Sequence, residues 1–166
     1  MELQEGKEKF LQAFGTFGTE WGINRTMAQI HALLLISPEP LSSQQIMDEL
    51  KISLGNANMN IRALASWGLI YKHLIPGERK DFFVAEKDMW EVIRKIIMQR
   101  KKKELEPLLK ILEEIDGVQG NSPEEKAFTE VVKDIKLFGN KANATLDTLT
   151  KADSNWFVGT FMKLIK

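Results

Sequence analysis

Asn56, Asn58, Asn60 and Arg62 stand close together in a stretch from Ser53 to Trp67 whose apolar residues recur at helical intervals. At about 100° per residue, Ala57, Ile61, Leu64 and Ala65 fall on one face, which is expected to pack against neighbouring helices. The opposite face then carries Gly55, Asn56, Met59, Arg62, Ala63 and Ser66, with Asn58 and Asn60 on its flanks. Three asparagines lower helix propensity, so stability alone does not account for them. Their chemistry suits base edges: asparagine pairs bidentately with adenine and arginine with guanine in the major groove. Gly55, in the first turn, lets the backbone approach a phosphate, and a helix N-terminus attracts one. An ordinary solvated face is the alternative for an isolated helix; the segments on either side of this one decide against it.

A second set of cations lies just downstream, at Lys72, Arg79 and Lys80. Their expected role is contact with backbone phosphate, which adds affinity and little specificity. Ser42, Gln44 and Ser53, at the starts of two short helical segments, complete the residues expected to touch DNA. Catalytic chemistry finds little support. His31 and His73 are the two imidazoles, and neither has a spacing that suggests a metal site with carboxylates. His31 lies in an apolar helical pattern and reads as a hydrogen-bonded structural residue. No phosphate-cradling glycine loop or nucleophile elbow occurs. No enzyme, cofactor or metal site is expected.

The elements that must position these residues follow from turn and capping signals. Phe10, Phe14, Phe17 and Trp21 form an aromatic stripe on a helix expected to end before Trp21, with Gly15, Gly18 and Gly22 weakening its later half. A second helix follows Asn24 and stops at Ser37-Pro38-Glu39-Pro40. Ser42 is an N-cap for a helix containing Ile46, Met47 and Leu50; Lys51-Ile52 links it to a second N-cap, Ser53. The helix from Ser53 ends at Gly68. Two short helices across so small a turn form a helix-turn-helix. Leu69–Ile75 and Asp81–Ala85 then read as strands around Pro76-Gly77-Glu78-Arg79-Lys80, a two-stranded wing with cations at its tip.

From Asp88 onward the pattern is helical. Trp90, Ile93 and Ile97 form one stripe, and Leu105, Leu108, Leu112 and Ile115 another, with a kink or break expected at Pro107. The run Arg100-Lys101-Lys102-Lys103 reads as exposed, or as lying along flanking phosphate. Ser122-Pro123-Glu124-Glu125 starts a long helix through a capping box. Phe128, Val131, Ile135, Phe138, Ala142, Leu146 and Leu149 then approach a coiled-coil seam, and Phe157 and Phe161 belong to a last short helix. The stripe of Phe10, Phe14 and Phe17 and the seam from Phe128 to Phe161 are the expected dimerisation surfaces. Residues 1–23 read as an N-terminal dimerisation helix, 24–87 as the DNA-binding domain and 88–166 as a C-terminal dimerisation region. The fold class is mainly α, a winged helix-turn-helix carried on long terminal helices.

These segments resemble the GbsR branch of the MarR-type regulators of bacteria and archaea. The resemblance rests on Gly22-Ile23-Asn24-Arg25-Thr26, Ala28 to Leu34, Ser37-Pro38-Glu39-Pro40-Leu41-Ser42, Met59 to Leu64 with Trp67-Gly68-Leu69-Ile70, and Pro76 to Asp81 with Ala85-Glu86. It covers roughly 14–100 and weakens beyond. It implies a homodimer on operator DNA, pairing through terminal helices, with repression as the usual outcome. The family pattern often has serine and lysine where Leu54 and the asparagines from Asn56 to Asn60 stand. Some such proteins are linked to choline or betaine. An aromatic cage for a cation would draw on Trp21, Trp67, Tyr71, Trp90 and Trp156, although their spacing among apolar residues also suits core or seam. A small-molecule effector is therefore an open expectation.

Composition bounds this reading. The 166 residues suit one domain or a small DNA-binding unit with a helical extension. Without cysteine, disulfide frameworks and thiolate zinc sites are excluded, which suits a reducing cytoplasm. The charged N-terminus and the lack of a long apolar run argue against a signal peptide or membrane span. Net charge is zero, and between Ser42 and Glu86 five basic residues (Lys51, Arg62, Lys72, Arg79, Lys80) meet five acidic ones (Asp48, Glu49, Glu78, Asp81, Glu86). Such a balance implies modest non-specific affinity and a need for dimer avidity. The rival reading is a winged helix used as a protein-interaction module without DNA binding; it calls for an apolar rather than polar face on the Ser53–Trp67 helix.

Overall fold

The computed structural model describes residues 1–118 and 120–152. They divide into two compact units, with the boundary between Val92 and Ile93.

In the first unit, α1 (Leu3–Glu20) packs along α2 (Arg25–Ile36). Gly15 and Gly18 are buried in this contact, and a Cβ on Gly18 would stand 2.6 Å from the Ala28 Cβ. The glycines that lower helix propensity are therefore what lets the two backbones approach. Asn24 caps α2, its side-chain oxygen accepting the Thr26 and Met27 N–H groups at 2.8 and 3.2 Å. At the far end, Lys87 Nζ donates to the carbonyls of Leu34, Leu35 and Ser37 at 2.8, 2.6 and 3.1 Å. A cation thus occupies the electronegative end of α2 and engages carbonyls that the helix leaves unpaired.

The helix-turn-helix comprises α3 (Ser43–Leu50) and α4 (Leu54–Ser66). The wing is β2 (Ile70–His73) and β3 (Phe82–Ala85), antiparallel in the register Ile70 to Ala85 and His73 to Phe82. The sheet has a third strand that the sequence reading did not anticipate. Leu41–Ser42, β1, pairs antiparallel with Phe83 and Phe82, so the order is β1-β3-β2. Ile30 and Leu34 from α2, Ile46 from α3, Ala57, Ile61 and Leu64 from α4, and Leu69, Ile70 and Ala85 from the wing form the buried core.

Helix α5 (Met89–Arg100) spans the boundary, and a π-helical turn, Lys101–Leu105, continues into α6 (Glu106–Ile115). The irregularity expected at Pro107 is this π-helical turn just before it; the backbone stays helical through Leu105 and Glu106, so Pro107 lacks a donor within a continuous helix and the altered turn precedes it. Helix α7 (Pro123–Lys151) starts at the expected capping box, with Ser122 Oγ accepting the Glu125 N–H at 3.2 Å. It packs on α6 through Leu109, Leu112 and Val132, with Leu105 and Ile115 partly buried beside them. Leu109, not Leu108, is buried beside Leu112 on α6. The α6–α7 hairpin is pinned at its loop end by Lys136–Asp116 at 2.8 Å. Lys101 bonds Asp147 at 2.7 Å and Glu106 at 3.3 Å.

Candidate nucleic-acid interface

Local chemistry fixes both ends of α4. Ser53 Oγ accepts the Asn56 N–H at 3.2 Å. At the other end the Leu69 N–H reaches the Leu64 carbonyl and the Gly68 N–H the Ala65 carbonyl, each at 3.0 Å, with Gly68 at φ +70°. This is a Schellman closure, and its flanking apolar pair, Leu64 and Leu69, is buried. The first strand of the wing therefore leaves α4 without a flexible linker. Before α4, Ile52 N–H bonds the Met47 carbonyl at 3.1 Å, while Lys51 holds the left-handed position at φ +53°. A lysine occupies a conformation that glycine adopts without cost.

The outward face of α4 presents Leu54, Gly55, Met59, Arg62 and Ser66, with Asn56 and Asn58 half-buried. Asn60 is a correction to the sequence reading. It is only 3% exposed and forms part of the buried stripe with Ala57, Ile61 and Leu64. Its amide donates to the Asn56 carbonyl at 2.9 Å and to Asn56 Oδ1 at 2.8 Å, which makes its burial tolerable. Ala65, expected in the core, is exposed instead. Asn60 and Ala65 flank the apolar stripe on opposite sides, and the fold covers the Asn60 side.

Ser42 is also withdrawn from the outward set. It is buried in the capping box of α3, its N–H donating to Gln45 Oε1 at 2.8 Å and its Oγ accepting the Gln45 N–H at 3.3 Å. Gln44 is exposed and donates to Asp48 Oδ1 at 3.2 Å. Ser53 is exposed while capping α4.

In the wing, Pro76 and Gly77 occupy the centre of a type II turn closed by the Glu78 N–H on the Ile75 carbonyl at 3.1 Å, with Gly77 at φ +87°. Arg79 and Lys80 are exposed beside it. Lys72 is ion-paired to Asp81 at 2.7 Å. Among the described residues, the side chains of Lys51, Arg62, Arg79 and Lys80 have no hydrogen-bond or ion-pair partner; Arg62 lies on the outward face of α4 and Arg79 and Lys80 on the wing.

His31 is 7% exposed, and its Nε2 has no hydrogen-bond partner among the described residues. The expectation of a hydrogen-bonded histidine does not hold for that nitrogen. Burial first, and the Lys87 charge second, hold its pKa down at about 4. No group of three or more histidine, aspartate or glutamate residues able to hold a metal occurs among the described residues. No described helix is long and apolar enough to cross a membrane. A cleft of about 510 Å³ lies between the first half of α1, the end of α2 and the end of α3. Leu11, Leu33 and Leu50 give it apolar wall, and Glu8, Asp48 and Lys51 charge.

The expected dimerisation residues divide sharply. Phe10 and Phe14 are half-buried with ring centroids 4.4 Å apart; Phe17 is exposed and stacks on Trp21 at 5.2 Å. On α7, Val132 and Gly139 face α6, whereas Phe128, Val131, Ile135 and Phe138 are exposed, Phe138 by 75%. Leu146 and Leu149 are half-buried. Trp156, Phe157 and Phe161 lie outside the described residues.

A helix-turn-helix closed rigidly onto a hairpin, with β1 completing the sheet, decides the architecture. The chain has a winged-helix fold. Among solved structures it is similar to one described as a crystal structure of a transcriptional regulator. That match has a TM-score of 0.65 and 18% identity, and covers 87% of this chain and 95% of the other. No family model matches the chain. No curated protein matches it.

Proposed function

We propose that this winged-helix protein is a sequence-specific regulator of transcription that binds double-stranded DNA as a homodimer and acts as a repressor in the cytoplasm. The observation that carries the reading is α4 itself: a helix rigidly closed at both ends, with an unpaired arginine on an otherwise uncharged outward face. Unpaired Arg79 and Lys80 on the adjoining wing supply phosphate contacts. The order of motifs from Gly22 to Glu86 supports a place in the GbsR branch of MarR-type regulators. The cleft bordered by α1 and by Lys51, in the turn before α4, is where we place a small-molecule effector. An occupant there would touch both the terminal helix and the turn that leads into the reading helix.

Selection of bound duplexes from a random-sequence library tests the reading, and two sets of variants then divide the roles. Replacing Arg79 and Lys80 with alanine should weaken binding to selected and scrambled duplexes alike. Because each of the two wings of a dimer loses two cations, it should also reduce the slope of log affinity against log salt by about 4. Asn56→Ala should relax base preference more than Arg62→Ala, and Arg62→Ala should lose more total affinity. A lost bidentate base contact corresponds to about 1–3 kcal/mol. Thermal melts are needed beside the Asn56 titration, because Asn56 Oδ1 holds the buried Asn60 amide. Exposed Leu54 and Met59 favour the rival, a protein-interaction module. If folded Asn56→Ala and Arg62→Ala proteins bind the selected duplex like the parent, α4 does not read DNA and the rival takes its place.

A further inference from the structure

We propose that Met59 reads the 5-methyl group of a thymine in the major groove, so that the preferred site requires thymine at one fixed position in each half-site. The inference rests on α4 being the DNA-reading helix and adds a base identity to that role. Met59 is 52% exposed at the middle of the stripe Gly55, Met59, Arg62 and Ser66. Long side chains on a helix lean back toward its N-terminus, over the preceding turn. The residue one turn before Met59 is Gly55, and a Cβ built there would meet nothing within 4 Å. The ground over which Met59 leans is therefore open. Leu54 is exposed as well, but five residues from Met59 it lies about 140° round the helix and belongs to a different side.

Met59 is the sixth residue of α4, in its N-terminal half, the part of a recognition helix that contacts base edges. A thioether chain offers base edges almost nothing in hydrogen bonding. Among the four bases, thymine alone presents an apolar group in the major groove, its C5-methyl. Methionine, unbranched and flexible, can follow that methyl without a strained rotamer. Arg62, three residues further along the same stripe, is left for a guanine edge or a phosphate. The face thus combines one apolar reader with one cationic one.

The test uses the full chain and a duplex selected from a random-sequence library. Each thymine of that duplex is replaced in turn by deoxyuridine, which removes only the methyl group. Binding should weaken about fourfold at one thymine per half-site, as burial of a single methyl group implies. Met59→Ala, confirmed as folded by circular dichroism, should bind the thymine and uracil duplexes equally at that position. Met59→Leu should keep the preference for thymine. The inference is overturned if the parent tolerates uracil at every position, or if the penalty persists unchanged in Met59→Ala. A library that enriches no duplex at all removes the DNA-reading role of α4, and this inference with it.

Discussion

Asn60 and His31 are the two buried polar side chains whose environments have measurable consequences. Asn60 is satisfied by its own helix, whereas His31 keeps one nitrogen unpartnered beside the positive field of Lys87. The folded protein holds the His31 pKa at about 4, below its ordinary 6.5, so the unfolded chain binds the extra proton first. Stability is therefore fully retained above about pH 6.5, falls as pH drops through the interval, and levels off below about 4. The full effect is roughly 3 kcal/mol. Urea midpoints between pH 4 and 7.5 should show this slope in the parent and a flatter one in His31→Phe. Equal slopes would mean that other groups dominate. At this scale the sequence was only half legible. An asparagine on the edge of an apolar stripe reads as outward by helical phase, and phase says nothing about which flank a neighbouring element covers. The Asn60 amide has its acceptors four residues back, in its own helix, and that is a fact of packing rather than pattern.

Elements were the most legible scale, because their ends depend on chemistry within a few residues. Asn24, Ser42, Ser53 and Ser122 cap the helices expected of them, and Gly68 ends α4 where a left-handed residue is needed. Strand β1 was invisible because its two residues owe their state to Phe82 and Phe83, some 40 positions away. Gly15 and Gly18 were legible as helix weakeners but not as contact makers, since their partners lie on α2. The distinction has a test. Gly18→Ala places a methyl 2.6 Å from the Ala28 Cβ, which is held by its own helix and cannot swing away. The gain in helix propensity of about 1 kcal/mol should be outweighed by overpacking, leaving a net loss of about 1–2 kcal/mol. Gly15→Ala meets the flexible Gln29 and Arg25 stems at 3.0 and 3.1 Å, and should be close to neutral. Urea unfolding of both variants decides the matter; equal stabilities would show that the α1–α2 spacing adjusts freely. A complementary change in the helix-turn-helix, Lys51→Gly, should raise stability by up to about 1 kcal/mol by removing a left-handed lysine.

At the scale of the whole molecule, the sequence identified the apolar seam of α7 but not which of its rows is used within the chain. Val132 and Gly139 pack on α6, and the row carrying Val131, Ile135 and Phe138 remains in water. We take that row as a surface for a second copy. Phe138→Glu should then leave the protomer folded, since Phe138 is mostly solvated already, and shift sedimentation equilibrium at micromolar concentration from dimer to monomer. A parent that sediments as a monomer throughout that range would remove the homodimer from the reading. If two copies pair through that row, abundance becomes a signal. Below the dissociation constant of a pair, the number of pairs rises with the square of the number of chains. Doubling synthesis would then raise the DNA-competent species about fourfold, and dilution at cell division would lower it as steeply. A short row of exposed apolar side chains, Val131, Ile135 and Phe138, would in this way set a threshold, making occupancy of a DNA site respond to gene dosage more sharply than any one-to-one binding curve allows.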